Sequence, residues 1–327
     1  MLRIAVAGAG FMGSTHATRW AALPDVAVVG IYSRTAARAQ AVAGPLGAAA
    51  VTDLGALLAL EADAVDICLP TSRHAEAAQA AFAAGRHVVC EKPIALQPGD
   101  GEAMAEAARR AGRLLLVAHV LRFWPEYAEL RRLVAAGAIG RPTSAVASRL
   151  QEGSGWVCDG LAAREASGGP VIDLQIHDHD FLAWLFGVPR LVSATGSDRH
   201  VFSAYTFDGG AVASAEAASD MPPGYPFTSA LRVRGEDGVL EYDFRAGGVR
   251  PDQAGGDSVL LHHPRSGPVA SVAVAAGDPY AAQIAHFAAC LRRGEPSPVV
   301  SPESSIRALR IALAARRSLD VGAPVAP

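Results

Sequence analysis

The chain of 327 residues is half hydrophobic and 19% charged, and it carries a formal net charge of −3 at pH 7. A disordered chain would be less hydrophobic and a nucleic-acid-binding protein more basic, so this balance argues against both classes. A membrane-spanning helix needs about 20 uninterrupted apolar residues, and charged or polar side chains interrupt each Ala-rich segment before that length. We therefore expect a soluble cytoplasmic protein whose partners are small molecules, not nucleic acid or a membrane.

The length predicts two domains, because a single hydrophobic core stops growing at about 250 to 300 residues. The cysteines are far apart in sequence and show no C-x-x-C spacing, so we expect them to be reduced core residues, not metal ligands or disulfide partners. They are Cys68, Cys90, Cys158 and Cys290.

A glycine-rich fingerprint stands near the start of the chain. Residues 8–13 form a G-x-G-x-x-G pattern between the strand-like run 3–8 and the helical stretch 11–22, and a second apolar strand follows at 26–32. In this context the glycines permit a tight turn, a close approach of backbone N–H groups to a pyrophosphate, and close packing of the helix on its strand. The residues predicted to bind the dinucleotide are Gly8, Gly10, Phe11, Met12 and Gly13.

The first 120 residues alternate strand-like runs with Ala-rich helical stretches such as 36–43 and 75–84. This alternation predicts a doubly wound, mostly parallel sheet, that is, an α/β Rossmann domain over residues 1–120. The predicted strands cover residues 3–8, 26–32, 64–69, 87–90 and 113–118.

Beyond residue 120 the apolar residues alternate with polar ones in short runs, and turn signals at 208–210 and 235–238 separate neighbouring runs. Period-two alternation and short turns predict an antiparallel sheet with hairpins. With two C-terminal helices at 279–293 and 302–319, residues 121–327 are expected to form an α+β domain, and these helices to pack back on the first domain. The predicted strands cover 143–150, 201–207, 211–218, 229–234 and 239–244.

The residues after the second strand bear on the choice of nicotinamide cofactor. In dinucleotide folds an acidic residue about 20 positions beyond the fingerprint binds the adenosine ribose, whereas this place reads Tyr32-Ser33-Arg34. Arg34 and Arg38, four residues apart at the start of a predicted helix, suit the 2′-phosphate of NADP. We therefore expect NADP, with NAD as the alternative; both arginines would also fit a solvated surface.

A lysine follows the fourth predicted strand directly, in the sequence Glu91-Lys92-Pro93. Open α/β sheets bind ligands at the carboxyl ends of their strands, so Lys92 is predicted to hydrogen bond a substrate hydroxyl and to stabilise charge on its oxygen during hydride transfer. The alternative is a solvated loop lysine, which the rigid proline after it disfavours.

A predicted helix over residues 171–186 places Asp173, His177 and Asp180 on one face. A carboxylate beside an imidazole fixes the ring tautomer, which suits a histidine that takes a proton from an alcohol. A purely structural Asp–His pair is the first alternative. A metal site at 177–180 is the poorest interpretation, because consecutive helical residues diverge by about 100°; we expect no metal.

Several polar and aromatic residues are candidates for the substrate pocket, although each would fit core packing equally well. They are His119, Arg122, Trp124, Trp156 and His179.

Together these residues resemble the glucose-fructose oxidoreductase, inositol dehydrogenase and rhizopine-catabolism (Gfo/Idh/MocA) family over nearly the whole chain. The matching segments are residues 8–13, Pro70-Thr71-Ser72-Arg73-His74, Glu91-Lys92-Pro93, 137–140 and 169–180.

The resemblance implies a Rossmann domain followed by a substrate-binding domain, whose large open antiparallel sheet commonly forms homodimers or homotetramers. It assigns catalysis to Lys92, Asp173 and His177. It also places Glu91 near the cofactor, and Pro70, Thr71 and His74 alongside the nicotinamide. Ser33 departs from the family pattern, in which many members carry an acid.

The expected reaction is reversible hydride transfer between a nicotinamide and a secondary alcohol of a sugar, polyol or inositol-like substrate. His177 removes the hydroxyl proton, Asp173 orients His177, and Lys92 binds the oxygen. Two enzymatic alternatives on this scaffold are NADPH-dependent reduction of an aldehyde or ketone, and a glycosidase that retains its nucleotide. A non-catalytic protein that senses NAD(P) is the third alternative.

Overall fold

Two sheets of different kind organise the chain. The computed structural model describes residues 1–153, 169–251, 253 and 256–327. Contacts divide these residues into a first unit, 1–124 with 277–306, and a second unit, 125–276 with 307–327.

The described strands and helices, numbered in chain order, are as follows. The strands are β1 (Leu2–Ala7), β2 (Val26–Tyr32), β3 (Ala49–Val51), β4 (Ala64–Ile67), β5 (His87–Glu91), β6 (Leu115–Ala118), β7 (Pro142–Glu152), β8 (Leu191–Gly196), β9 (His200–Thr206), β10 (Val212–Met221), β11 (Thr228–Gly235), β12 (Gly238–Arg245), β13 (Asp257–Pro264) and β14 (Ala270–Ser271). The α-helices are α1 (Phe11–Ala21), α2 (Ala36–Ala43), α3 (Leu54–Leu58), α4 (His74–Ala83), α5 (Pro98–Ala111), α6 (Pro125–Ala135), α7 (Pro170–Asp173), α8 (Ile176–Phe186), α9 (Pro279–Arg293) and α10 (Pro302–Val321).

The first unit holds a six-stranded sheet in the order β3-β2-β1-β4-β5-β6. Every strand pair in it is parallel, so the predicted α/β Rossmann fold is confirmed. The order reverses between β1 and β4, which is the point where such sheets bind ligands beyond the carboxyl ends of their strands. The sequence prediction missed β3 because it has three residues and lacks a buried apolar run.

Helix α9 contributes to the core of the first unit. Phe287 and Ile284 from α9 pack in one hydrophobic cluster with Trp20 of α1 and Ile31 of β2. Phe287 also meets the ring of Phe123 edge-on, with centroids 5.8 Å apart. The C-terminal segment that carries α9 is therefore part of the core of the first unit, since large buried aromatics dominate core energetics.

The second unit holds an eight-stranded sheet in the order β14-β13-β12-β11-β7-β10-β9-β8. The predicted hairpins at 208–210 and 235–238 connect β9 to β10 and β11 to β12. The predicted antiparallel sheet is mixed at one strand pair, because β10 runs parallel to β7. The α+β class and the large, mostly antiparallel sheet are confirmed.

The two faces of this eight-stranded sheet differ sharply in burial. One face is buried, and Tyr242 of β12 meets Tyr127 of α6, which in turn meets Phe181 of α8 edge-on at 4.8 Å. The strand register puts five large apolar side chains on the opposite face, each 39% to 48% exposed. This open face is defined by Val146, Leu191, Phe202, Val212 and Val259.

The predicted continuous helix over 171–186 is wrong in one respect. The structure divides it into α7, which ends at Asp173, and α8, which begins at Ile176. Gly169 precedes α7 with φ of +73°, a left-handed conformation that glycine adopts readily. Asp173 and His177 therefore stand in two successive helical segments, and their four-residue spacing is not that of one regular helix.

None of the helices in the described part of the chain is both long and apolar enough to cross a membrane.

Candidate active site

The fingerprint loop between β1 and α1 has the geometry that a pyrophosphate needs. Gly8 adopts φ of +132°, and a Cβ there would overlap the carbonyl oxygen of Cys68. A Cβ at Gly13 would overlap the carbonyl oxygen of Gly8, whereas one at Gly10 would meet nothing within 4 Å. The loop is thus packed tightly on the protein side and open at Gly10.

The N-terminus of α1 is suited to bind an anion. Gly10 is its N-cap, no side chain caps the helix, and its first turn holds no acidic residue. Uncapped N–H groups and the positive end of the helix dipole favour a phosphate there. Phe11 and Met12 open this helix, so the predicted cofactor residues at 8–13 belong to one loop and one helical turn.

The end of β2 carries the residues that bear on NADP. Ser33 donates its N–H to the carbonyl of Val51, and its hydroxyl accepts the N–H of Thr35 at 3.3 Å. Thr35 is the N-cap of α2, so Arg34 lies before the helix and only Arg38 lies within it. Both arginines are exposed, and within the described ranges neither has an ion pair.

A buried imidazole connects the segment after β4 to the turn after β5. His74 is 1% exposed, with Nδ1 at 2.9 Å from the Pro93 carbonyl and Nε2 at 2.8 Å from the Leu69 carbonyl. Burial lowers the pKa of His74, against the opposing effect of these carbonyls. Pro70 and Thr71 lie between β4 and His74, and Thr71 is buried.

Lys92 follows β5 immediately, at the carboxyl edge of the parallel sheet. Its backbone N–H donates to Oε2 of Glu91 at 3.1 Å, and the peptide bond to Pro93 is cis. β5 is the second strand from the strand-order reversal between β1 and β4, so this turn lies at the carboxyl edge where such sheets bind ligands.

Beneath the fingerprint loop lies a buried polar cluster that the sequence prediction missed. His16 Nδ1 is 2.9 Å from Oδ2 of Asp66, and that oxygen also accepts the indole N–H of Trp20 at 2.7 Å. His16 Nε2 is 3.1 Å from Oε1 of Glu91, an ion-pair contact without the alignment of a hydrogen bond. The Cys68 thiol approaches both His16 and Asp66.

The potential ligand atoms of His16, Asp66 and Cys68 lie within 4.8 Å of one another, so they form a candidate metal set. Burial alone would lower the pKa of His16, but Asp66, with Cys68, raises it well above 6.5. Burial and Asp66 also raise the pKa of the Cys68 thiol. The contacts present make the cluster a hydrogen-bonded ion-pair network centred on His16 and Asp66.

In the second unit, polar contacts fix one side of α8 to the sheet. Asp178 binds the guanidinium of Arg149 on β7 through two hydrogen bonds of 3.1 and 2.8 Å, and both side chains are almost fully buried. Arg149 also donates to the hydroxyl of Tyr127. Burial opposes the charge of Arg149, but Asp178 raises the pKa of Arg149 above its usual value.

Two further residues of this segment point to the same sheet. Gln175 donates to the carbonyl of Ala215 and accepts the hydroxyl of Ser203. His179 is fully buried, and its Nδ1 lies 2.9 Å from the hydroxyl of Tyr205. Burial lowers the pKa of His179 to about 3. This environment is that of a neutral core histidine, so we leave His179 out of the proposed substrate site.

The remaining predicted residues fall in different environments. From 169 to 182 every residue is buried except Asp173 and His177, which are partly exposed, and Asp180 is 1% exposed. His119 and Arg122 are buried in the first unit, and Arg122 donates to the Val299 carbonyl at 2.6 Å. Trp156 and Cys158 lie outside the described residues, and Trp124 is partly exposed.

Comparison with known proteins assigns the family. Residues 2–119 match the model of the oxidoreductase family with an NAD-binding Rossmann fold, and residues 127–241 match the model of the GFO/IDH/MocA C-terminal domain. The chain is also 33% identical over 306 residues to D-xylose 1-dehydrogenase (NADP(+)) 2 of Haloferax volcanii, covering 90% of each protein. The chain belongs to the Gfo/Idh/MocA family.

Two other known proteins match over similar lengths. The scyllo-inositol 2-dehydrogenase (NAD(+)) of Bacillus subtilis is 28% identical, with 99% of this chain and 96% of that protein covered. The solved structure of UDP-N-acetylglucosamine 3-dehydrogenase from Acidithiobacillus ferrooxidans superposes with a TM-score of 0.82 at 28% identity, covering 98% of each chain. The resemblance predicted from the sequence motifs is confirmed, and the chain is an oxidoreductase that uses a nicotinamide cofactor.

Proposed function

We propose that this oxidoreductase oxidises a secondary alcohol of a sugar, polyol or cyclitol, reversibly. The observation that carries the proposal is that Asp173 and His177 are the two partly exposed residues in the otherwise buried segment 169–182. Ionisable side chains that stay accessible in an otherwise buried segment are typical of a ligand site. Relatives named as xylose and scyllo-inositol dehydrogenases support the substrate class.

When bound, the nicotinamide supplies the hydride acceptor. In the proposed mechanism His177 removes the proton of the substrate hydroxyl, and Asp173 orients the imidazole. Lys92 donates a hydrogen bond to the substrate oxygen and stabilises the negative charge that develops on it. The fit of the cofactor rests on the tight glycine loop and the uncapped N-terminus of α1.

The test is reduction of NADP or NAD, followed by absorbance, against a panel of polyols, inositols and aldoses. His177→Ala is expected to lower kcat by roughly 10²- to 10⁴-fold and to leave cofactor affinity unchanged. His263→Ala, which removes a partly exposed histidine of the same unit that pairs with Glu241, is the matched control and is expected to keep full activity. Full activity of His177→Ala would refute the assigned role.

We further propose that the enzyme prefers NADP. Ser33 stands where a carboxylate would bind the ribose of NAD, and the guanidiniums of Arg34 and Arg38 are exposed beside it. A charge-assisted hydrogen bond contributes about 1.5–3 kcal/mol. Arg34→Ala is therefore expected to lower kcat/KM for NADP by about 10- to 100-fold and to leave that for NAD unchanged. An equal loss with both cofactors would overturn this assignment.

We also propose that the open face of the eight-stranded sheet mediates a homodimer or homotetramer. Five large apolar side chains that are 39% to 48% exposed lie on one face of the sheet, and exposed apolar surface of this kind is typical of an interaction surface. Val212→Glu is expected to shift the sedimentation coefficient to that of the monomer. Val188→Glu, an equally exposed valine outside the sheet, is the control. A monomeric wild-type protein would refute the proposal.

The three cysteines in the described ranges, Cys68, Cys90 and Cys290, carry free thiols. Free thiols fit a reducing compartment. We therefore propose that the enzyme works in the cytoplasm.

A further inference from the structure

The buried cluster in the first unit joins three elements that lie far apart in sequence. His16 belongs to the second turn of α1, Asp66 to β4 and Glu91 to the end of β5. The side chains of His16 and Asp66 are fully buried, and that of Glu91 is 9% exposed. The imidazole therefore stands between two carboxylates, one at each ring nitrogen, at distances of 2.9 and 3.1 Å.

Charge balance explains why such a cluster is tolerated inside the unit. An unpaired buried carboxylate is strongly unfavourable, and a cation in contact with both removes much of that penalty. The groups that face His16 are Asp66 and Cys68 from the β4 side and Glu91 from β5. Asp66 is the main cause that raises the pKa of His16, so contact with the carboxylates favours the charged form of the ring.

The second oxygen of Glu91 connects the cluster to Lys92. Oε1 of Glu91 faces His16, and Oε2 accepts the backbone N–H of Lys92. The carboxylate is thereby held between the imidazolium and the peptide that carries the lysine. An ion pair of this kind fixes the rotamer of Glu91, and with it the start of the turn.

We propose that His16 is a positioning residue for Lys92, acting through Glu91. The imidazolium holds the Glu91 carboxylate in one orientation, and Glu91 in turn orients the peptide of Lys92 at the carboxyl end of β5. This role rests on the proposed function of Lys92. It explains why a charged histidine lies under the glycine loop, where an apolar residue would pack more simply.

The central variant is His16→Asn, whose amide occupies the place of Nδ1 and keeps the contact with Asp66 while removing the charge and the contact with Glu91. A misplacement of about 1 Å in a site lowers turnover by as much as about 100-fold. We expect kcat for the alcohol to fall by about 10- to 100-fold, with an unchanged dissociation constant for the cofactor.

A double-mutant cycle with Glu91→Gln tests the path of the effect. If His16 acts through Glu91, the double variant loses no more activity than the worse single variant, because the unpaired carboxylate is gone. If the activity loss of the double variant equals the product of the two single losses, His16 and Glu91 act independently and the proposal is overturned. His286→Gln is the matched control; this partly buried histidine contacts Ser297 at 2.7 Å and faces no carboxylate in the part of the chain that the structure describes. It is expected to keep wild-type kcat.

A spectroscopic measurement tests the charge without reference to activity. In protein labelled with ¹⁵N-histidine, both ring nitrogens of His16 are expected to keep imidazolium chemical shifts at pH 7.5. Neutral-ring shifts at that pH would overturn the proposal. If the wild-type enzyme oxidises none of the alcohols, the proposed function is refuted. If the wild type is active and His16→Asn is equally active, only the positioning role of His16 is refuted.

Discussion

The buried pair of Arg149 and Asp178 makes the stability of the second unit open to a sharp test. Asp178→Asn keeps the size of the side chain and removes its charge. The guanidinium of Arg149 is 3% exposed and loses its carboxylate partner, while the hydroxyl of Tyr127 remains within 3.3 Å. A buried cation then stays without the charge that balanced it.

The magnitude follows from the burial and the two-bond geometry. Breaking a buried ion pair by removing one partner lowers the free energy of unfolding by ~3–5 kcal/mol. For a unit of this size each kcal/mol lowers Tm by ~2–4 °C, so Tm is expected to fall by ~6–20 °C. Because Asp178 adjoins His177 on α8, activity is also expected to fall as the helix loosens on β7.

Thermal and urea unfolding followed by circular dichroism measure this effect. The matched control is Glu236→Gln, which breaks the exposed pair of Arg141 and Glu236 at 2.7 Å and is expected to change stability by less than ~1 kcal/mol. In the double variant Arg149→Met with Asp178→Leu, apolar packing replaces the pair, and most of the lost stability is expected to return.

The reasoning fails if Asp178→Asn is no less stable than Glu236→Gln. It also fails if the double variant is less stable than Asp178→Asn, since the loss would then come from lost contacts and not from an unbalanced charge.

Two further predictions concern the glycine loop and the response to acid. Gly10→Ala is expected to leave the free energy of unfolding within ~0.5 kcal/mol of wild type and to weaken cofactor binding about tenfold or more. Gly13→Ala is expected to destabilise the fold by ~1–3 kcal/mol, because its Cβ would overlap backbone atoms of Gly8. Calorimetric titration and urea unfolding separate the two effects, and equal destabilisation by both would contradict the loop geometry. The pKa of His179 is about 3 in the folded protein and 6.5 in the unfolded chain. Below pH 6.5 the unfolded chain therefore binds one proton more than the fold, and the free energy of unfolding falls by ~1.4 kcal/mol per pH unit. In His179→Asn this slope between pH 6.5 and 4 is expected to flatten, and an unchanged slope would show that His179 is not buried as a neutral ring.

The sequence was sufficient to predict the features that depend on local pattern. Five strands were predicted from apolar runs that are followed by glycines or by helical stretches, with small errors at the strand ends. They are β1, β2, β4, β5 and β6. Both the fingerprint and the turn after β5 follow from residue type and spacing, because a tight turn and a close phosphate approach need glycine at set positions. The family resemblance rested on these same local motifs, which explains why it was confirmed.

Long-range pairing decided the rest. Strands β8 and β13 lack a strong alternating pattern, and β10 pairs in parallel with β7, which is distant in sequence. Two buried clusters, one around His16 and one around Arg149, were missed for the same reason, since their partners come from different elements. A charged residue in the apolar run 64–69, and a histidine and tryptophan four apart on α1, were the signals that could have revealed the first cluster.

The break between α7 and α8 shows most clearly what the sequence pattern does not predict. Helical periodicity places Asp173 and His177 on one face, but Gln175, Asp178 and His179 bond to the sheet, and these contacts determine which side chains stay partly exposed. A repeat of hydrophobic residues follows from the chain alone, because it depends on neighbours three or four positions away. The partner of a buried polar group is set by which strands meet in three dimensions, so only the tertiary structure decided it.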